Sequence, residues 1–176
     1  MTSYRKVITE LYCKLLGEEL KKILNEREML QNQIGYETAE GEVELLSETT
    51  VGQILKGKRN ISFNASLAFQ TSLDYKNPRE LFFPSIEFEL LLIENIISTI
   101  LIDPTFENTF LKKSIAKKFS NVSKKEVAQI IEKNKGIFLD SLSSFISDFP
   151  EEETSYQIAE KITDWLSEFA CLISQF

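Results

Sequence analysis

Ser47-Glu-Thr-Thr-Val-Gly-Gln-Ile-Leu-Lys-Gly-Lys-Arg-Asn60 is the stretch on which the reading of this chain turns. Serine is a good residue for starting a helix, because its hydroxyl accepts a hydrogen bond from a first-turn N–H that has no partner inside the helix. Val51, Ile54 and Leu55 follow at the spacing of one buried helical face, and Gly57 marks the natural end before Lys58, Arg59 and Asn60. The spacing predicts a short helix from Ser47 to about Gly57, with Thr49, Thr50 and Gln53 on its polar side.

The same helical period extends in both directions. Upstream, Val7, Ile8, Leu11, Leu15, Leu16, Leu20, Ile23 and Leu24 recur at steps of three and four, which predicts an amphipathic helix, or two helices bent near Gly17. Between Met29 and Glu44 the pattern gives way to Gln, Asn and Gly with Glu37, Glu40, Glu42 and Glu44, so a short helix and an irregular acidic connection are expected. Downstream, Leu67, Ala68 and Leu73 carry another helix. Asn77-Pro78 then opens a turn into Leu81-Phe82-Phe83, and Pro84 is the expected boundary between domains at 1–83 and 84–176.

Beyond Pro84, the segment Phe88 to Ile102 is apolar nearly all round and predicts a helix covered on several sides. It holds Glu89 and Glu94 and is shorter than the roughly 20 apolar residues a bilayer span needs, so no membrane partner is expected. Asp103-Pro104 restarts the chain as cap and first-turn proline ahead of Phe106, Phe110, Ile115 and Phe119. Ser123 and Glu126 have capping-box spacing before a long stripe from Val127 to Phe149 that Gly136 is expected to kink or divide. The last helix follows Pro150 and Glu151 to Glu153, with a stripe of Ile158, Ile162, Trp165, Phe169, Leu172 and Phe176 that suits packing along another helix. No useful strand alternation occurs, so the expected fold is all-α.

Composition narrows the function. There is no histidine among the 176 residues, which removes the commonest general base and metal ligand, and no glycine-rich phosphate loop is present. A non-enzymatic protein without cofactor, metal or catalytic residues is therefore expected. Cys13 and Cys171 are too few for a disulfide framework and read as small apolar packers. The charged start lacks the apolar run of a signal peptide, which with the cysteines points to the reducing cytoplasm.

Ser47, Val51, Gln53, Gly57 with Lys58 and Arg59, the helix around Leu67 and Ala68, and Leu81-Phe82 follow one another in an order that resembles the Xre/Cro family of phage-repressor-like regulators. Leu16 to Arg27 is similar to that family's first helix. The resemblance implies an N-terminal helix-turn-helix bundle, followed by a helical dimerisation or sensor domain. It also implies a homodimeric, sequence-specific repressor of transcription that binds double-stranded DNA, paired through its C-terminal helices. On that reading Thr49, Thr50 and Gln53 meet base edges from the helix capped by Ser47, while Lys56, Lys58, Arg59 and Asn60 hold phosphates. A small-molecule or peptide effector of the second half is a further partner the reading allows.

Two features depart from this pattern. Gln31, which would open the family's second helix, is followed by no Leu-Ala pair, and a glutamate-rich insertion separates it from Ser47. Residues 1–80 hold 11 Lys and Arg against 12 Asp and Glu, so the half has no basic excess. A helical protein-interaction module that has lost DNA binding is the alternative. A rival basic segment, with Lys112, Lys113, Lys117, Lys118, Lys124 and Lys125 around Ala116, Phe119, Ser123, Val127 and Ile130, imitates the same motif inside a half that carries 9 Lys and 15 Asp and Glu. It reads as the solvated face of two adjoining helices.

Overall fold

Five helices of this chain start just after a side chain that accepts a hydrogen bond from the first turn. The computed structural model describes residues 3–38, 40–149 and 153–175, and among them the fold is all-α, with one isolated antiparallel bridge between Tyr36 and Glu44. The helices are α1 (Ser3–Glu26), α2 (Glu48–Leu55), α3 (Phe63–Leu73), α4 (Pro78–Phe82), α5 (Ile86–Ile102), α6 (Phe110–Phe119), α7 (Lys124–Lys133), α8 (Lys135–Phe145) and α9 (Ser155–Ile173). Short 3-10 helices occupy Gln31–Gln33 and Pro104–Phe106. Ser47, Ser62, Asn77, Thr109 and Ser123 cap α2, α3, α4, α6 and α7 with side-chain oxygens.

The chain divides into two compact units. One holds Thr9–Ser85 and Asp148–Ala159, and the other Met1–Ile8, Ile86–Ser147 and Glu160–Phe176. In the first, here the α2 unit, Leu16, Leu20, Val51, Ile54, Ala68 and Phe69 are buried. Tyr12 donates its hydroxyl proton to the Phe82 carbonyl at 2.8 Å, and Arg27 donates to the Leu73 carbonyl at 2.7 Å while lying over the Tyr75 ring, which satisfies an orphan acceptor at the end of α3. Ser155 is joined to Ile61 twice: the Ile61 N–H donates to the serine hydroxyl at 2.7 Å, and the Ser155 N–H donates to the Ile61 carbonyl at 3.1 Å.

In the second, here the α5 unit, α6, α7 and α8 pack against α5. Trp165 is fully buried, donates its indole N–H to Ser141 Oγ at 2.9 Å and stacks 4.6 Å from Phe169, which in turn meets Phe138 edge-on at 5.6 Å. Arg5 bridges Glu160 and Asp164.

Several sequence expectations change. Gly17 does not bend α1, which is one helix of 24 residues; a Cβ there would stand 2.5 Å from the Ile54 carbonyl oxygen, so the glycine serves close approach. The expected short helix after Met29 is only the three-residue 3-10 turn at Gln31–Gln33. Phe106 belongs to the 3-10 turn capped by Asp103, and α6 begins at Phe110 after its own cap. The long stripe after Ser123 does divide, but at Asn134, while Gly136 lies inside α8 with open space around it.

Glu153 lies two residues before α9, where the helix start is expected to favour its charge, and is buried at 1% exposure; Pro150, Glu151 and Glu152 lie outside the described residues. Along α9, Ile158, Ile162, Trp165 and Phe169 are buried within the single chain, and Ile173 takes the place expected for Leu172, which is only half-buried; Phe176 is outside the described residues. That stripe is occupied by intramolecular packing and leaves no open seam on α9.

Candidate nucleic-acid interface

α2 is held at both ends. At its start the Ser47 hydroxyl accepts from the Thr50 N–H at 3.3 Å and shares a hydrogen bond with the Thr50 hydroxyl at 3.1 Å, and Arg59 Nη1 donates to that same Thr50 oxygen at 3.4 Å. At its end the Lys58 N–H donates to the Gln53 carbonyl at 2.9 Å and the Gly57 N–H to the Ile54 carbonyl at 2.8 Å, the paired bonds of a Schellman cap. Gly57 sits at φ 66°, where a side chain is strained, and a Cβ would come 2.5 Å from Lys14 Cα. With Gly17 against Ile54 on the same side, the end of α2 touches α1 backbone to backbone, an arrangement only glycine permits.

Val51, Ile54 and Leu55 face the core, which leaves Thr49, Gln53 and Lys56 exposed at steps of four and three along one outer face. Lys58, Arg59 and Asn60 continue as an exposed turn. Of the eight residues expected to meet DNA, Thr49, Gln53, Lys56, Lys58 and Asn60 are thus exposed without a tie to the helix start, and Arg59 is exposed but bonded to Thr50. Ser47 and Thr50 are committed to the helix start, Ser47 exposed and Thr50 half-buried, so their part is to hold the helix and to steer Arg59.

Glu48, Thr49, Gln53, Lys56 and Lys58 line a shallow groove of about 500 Å³ that Gln31 closes from the 3-10 turn, its side-chain oxygen lying over Gly52. A second, smaller groove of about 130 Å³ adds Lys21 and Asn25 of α1 beside Lys56. These two α1 residues were missed by sequence reasoning. With Lys14 they recur on one face of α1 at 14, 21 and 25, a visible pattern, but nothing in sequence says that this face borders α2. Among the described residues Lys14, Lys21, Lys56 and Lys58 make no ion pair, so their charge is available to an outside anion.

The acidic insertion is anchored elsewhere. The Thr71 hydroxyl donates to the Glu37 carbonyl at 3.2 Å and Ser72 to the Gln33 carbonyl at 3.3 Å, both from α3. Among the described residues no hydrogen bond joins residues 37–44 to α2 or to Lys58–Asn60, although the exposed Glu37, Glu40, Glu42 and Glu44 add negative charge to the unit.

In the rival segment Lys112 pairs with Glu107 at 2.6 Å and Lys124 approaches Glu94 at 3.9 Å. Cys13 is buried, and burial pushes its thiol pKa up, away from a reactive thiolate; Cys171 is exposed rather than packed. Among the described residues no cluster of three or more His, Cys, Asp or Glu is placed to hold a metal, and no helix is long and apolar enough to cross a membrane. Compared with protein-family models, with curated proteins and with solved structures, the chain matches none.

Proposed function

We propose that this chain binds double-stranded DNA by sequence and regulates transcription in the cytoplasm, as a repressor acting in paired copies. One observation carries the reading: a helix fixed at both ends offers Thr49, Gln53 and Lys56 outward and runs straight into Lys58, Arg59 and Asn60. Hydroxyl and amide groups on such a face suit base edges in the major groove, with glutamine able to bind adenine through two hydrogen bonds. Lys21, Lys56, Lys58 and Arg59 suit phosphates, and four phosphate contacts give log affinity against log salt a slope of about −3 to −4 per copy. The α2 unit is then the DNA-reading domain, in a helix-turn-helix frame where only the Gln31–Gln33 turn stands in the place of the family's second helix.

That short turn and the exposed glutamates of the insertion favour a second reading, a partner-binding module that no longer reads DNA. Selection of bound duplexes from a random library, with the wild type and a Thr49→Ala/Gln53→Ala variant in parallel, separates the two. A two-fold-related motif enriched by the wild type and lost or altered in the variant is expected. Absence of any enriched motif overturns DNA reading in favour of the module.

A further inference from the structure

The main chain of the basic turn after α2 is anchored at its two ends and nowhere between. At its start the Lys58 N–H donates to the Gln53 carbonyl, and the next main-chain bond is the one that Ile61 donates to Ser155. Among the described residues, the backbone N–H and C=O groups of Arg59 and Asn60 make no hydrogen bond, and Arg59 is tied only through its side chain, to Thr50 at 3.4 Å. Both residues are exposed, so solvent satisfies these groups and the path of the turn is set by its ends.

Ser155 forms the downstream end. It is fully buried, and its hydroxyl oxygen accepts from the Ile61 N–H at 2.7 Å and from the Cys13 thiol at 3.8 Å. Its own N–H returns to the Ile61 carbonyl at 3.1 Å. Ile61 is 2% exposed, so its N–H has no solvent to turn to once the hydroxyl is removed. Tyr156, the next residue, lines a hollow of about 240 Å³ together with Lys58, Arg59 and Asn60.

We propose that Ser155 is a positioning residue for DNA binding: through the Ile61 amide it fixes where Lys58, Arg59 and Asn60 stand, and so sets how many phosphates the turn holds. This rests on the reading of α2 as the helix that meets DNA, and adds to that interface a residue far outside the Ser47–Asn60 stretch. Thr49 and Gln53 stand on α2, whose Ser47 cap and Schellman bonds do not involve Ser155. Loss of the hydroxyl therefore divides the interface, releasing phosphate contacts and sparing base contacts.

The test compares the full-length wild type, Ser155→Ala and Thr154→Ala on a labelled duplex from about 50 to about 200 mM salt, together with selection from a random library. Thr154 accepts from the Gln157 N–H at 3.3 Å at the start of the same helix and does not touch Ile61, so its variant is the control. Ser155→Ala is expected to bind about tenfold more weakly at low salt, with the slope of log affinity against log salt reduced by about 2 for Lys58 and Arg59, and to select the wild-type motif. Thr154→Ala is expected to keep the wild-type affinity and slope. Destabilisation alone would lower the binding-competent fraction and leave the slope unchanged. Amide exchange in the free wild type, which needs no variant to fold, is expected to be slow at Ile61 and fast at Arg59 and Asn60. A wild type that binds no duplex overturns the DNA reading and this inference with it. A wild type that binds, with Ser155→Ala equal to it in affinity and slope, overturns this inference alone. So does an equal loss in Thr154→Ala, an altered motif in Ser155→Ala, or fast exchange of the Ile61 amide.

Discussion

Ser47 before α2 and Ser123 before α7 cap their helices through the same bond, each accepting at 3.3 Å from the N–H three residues on. What differs is the residue that supplies it. At α7 it is Glu126, whose carboxylate accepts from the Ser123 N–H at 2.8 Å and from its hydroxyl at 2.6 Å, so the box closes on itself. At α2 it is Thr50, whose hydroxyl receives Arg59 from nine residues ahead and ties the helix start to the basic turn. The lysines overlap more than the caps do. Around α6 and α7, Lys112 and Lys124 have carboxylate partners, while Lys113, Lys117 and Lys125, like Lys56 and Lys58, make no ion pair among the described residues. A lysine run and a capping serine are therefore common property, and what sets α2 apart is the tie from its cap to the basic turn.

The widest separation between the two regions is expected from charge reversal. Lys56→Glu/Lys58→Glu/Arg59→Glu should weaken duplex binding on the order of a thousandfold at low salt, whereas Lys113→Glu/Lys117→Glu/Lys125→Glu should change it less than about threefold. Fluorescence anisotropy with a labelled duplex measures both, and equal losses would erase the distinction.

Glycine replacement comes next. Gly57→Ala forces a side chain into a left-handed turn against Lys14 and is expected to cost about 2–4 kcal/mol in urea unfolding. Gly136→Ala, in α8 with nothing nearby, should stabilise by about 0.5–1 kcal/mol.

At the level of a single base, Gln53→Ala should relax sequence preference at one position by about 1–3 kcal/mol and leave the salt slope unchanged. The same selection experiment reports it.

The smallest effect concerns pH. The Ser123 hydroxyl and N–H hold the Glu126 carboxyl below its ordinary pKa, so this bond supports the start of α7 above the ordinary carboxylate range and is lost as pH falls through the lowered value. Carboxyl-detected NMR titration should show the Glu126 midpoint rise in Ser123→Ala. The Ser47 cap, with Thr50 in the matching place, should show no acid dependence of its own.

Helix identity was legible because apolar residues recur at three and four, and the α2 cap was legible because Ser47 and Gly57 bracket such a run. Residue roles that depend on a distant partner were not. Gly17 reads as a flexible point until Ile54 is placed against it, and Gly136 reads as a break although the chain breaks at Asn134. Of the candidate interface, the outward Thr49, Gln53 and Lys56 followed from period alone. The second commitment of Thr50 to Arg59, and the arrival of Lys21 and Asn25 beside Lys56, required the fold.

The two bonds between Ser155 and Ile61 span 94 positions of sequence. During synthesis, the α2 unit lacks its last piece until residue 159 has left the ribosome, 74 residues after Ser85. At about 5–20 residues per second, that is a wait of about 4 to 15 s. A nascent chain halted between these points carries the whole of α2 and its basic turn but leaves the Ile61 amide and carbonyl without the strap that later covers them. Acquisition of the finished α2 unit is thereby made a late event in translation, after α5 to α8 have already emerged.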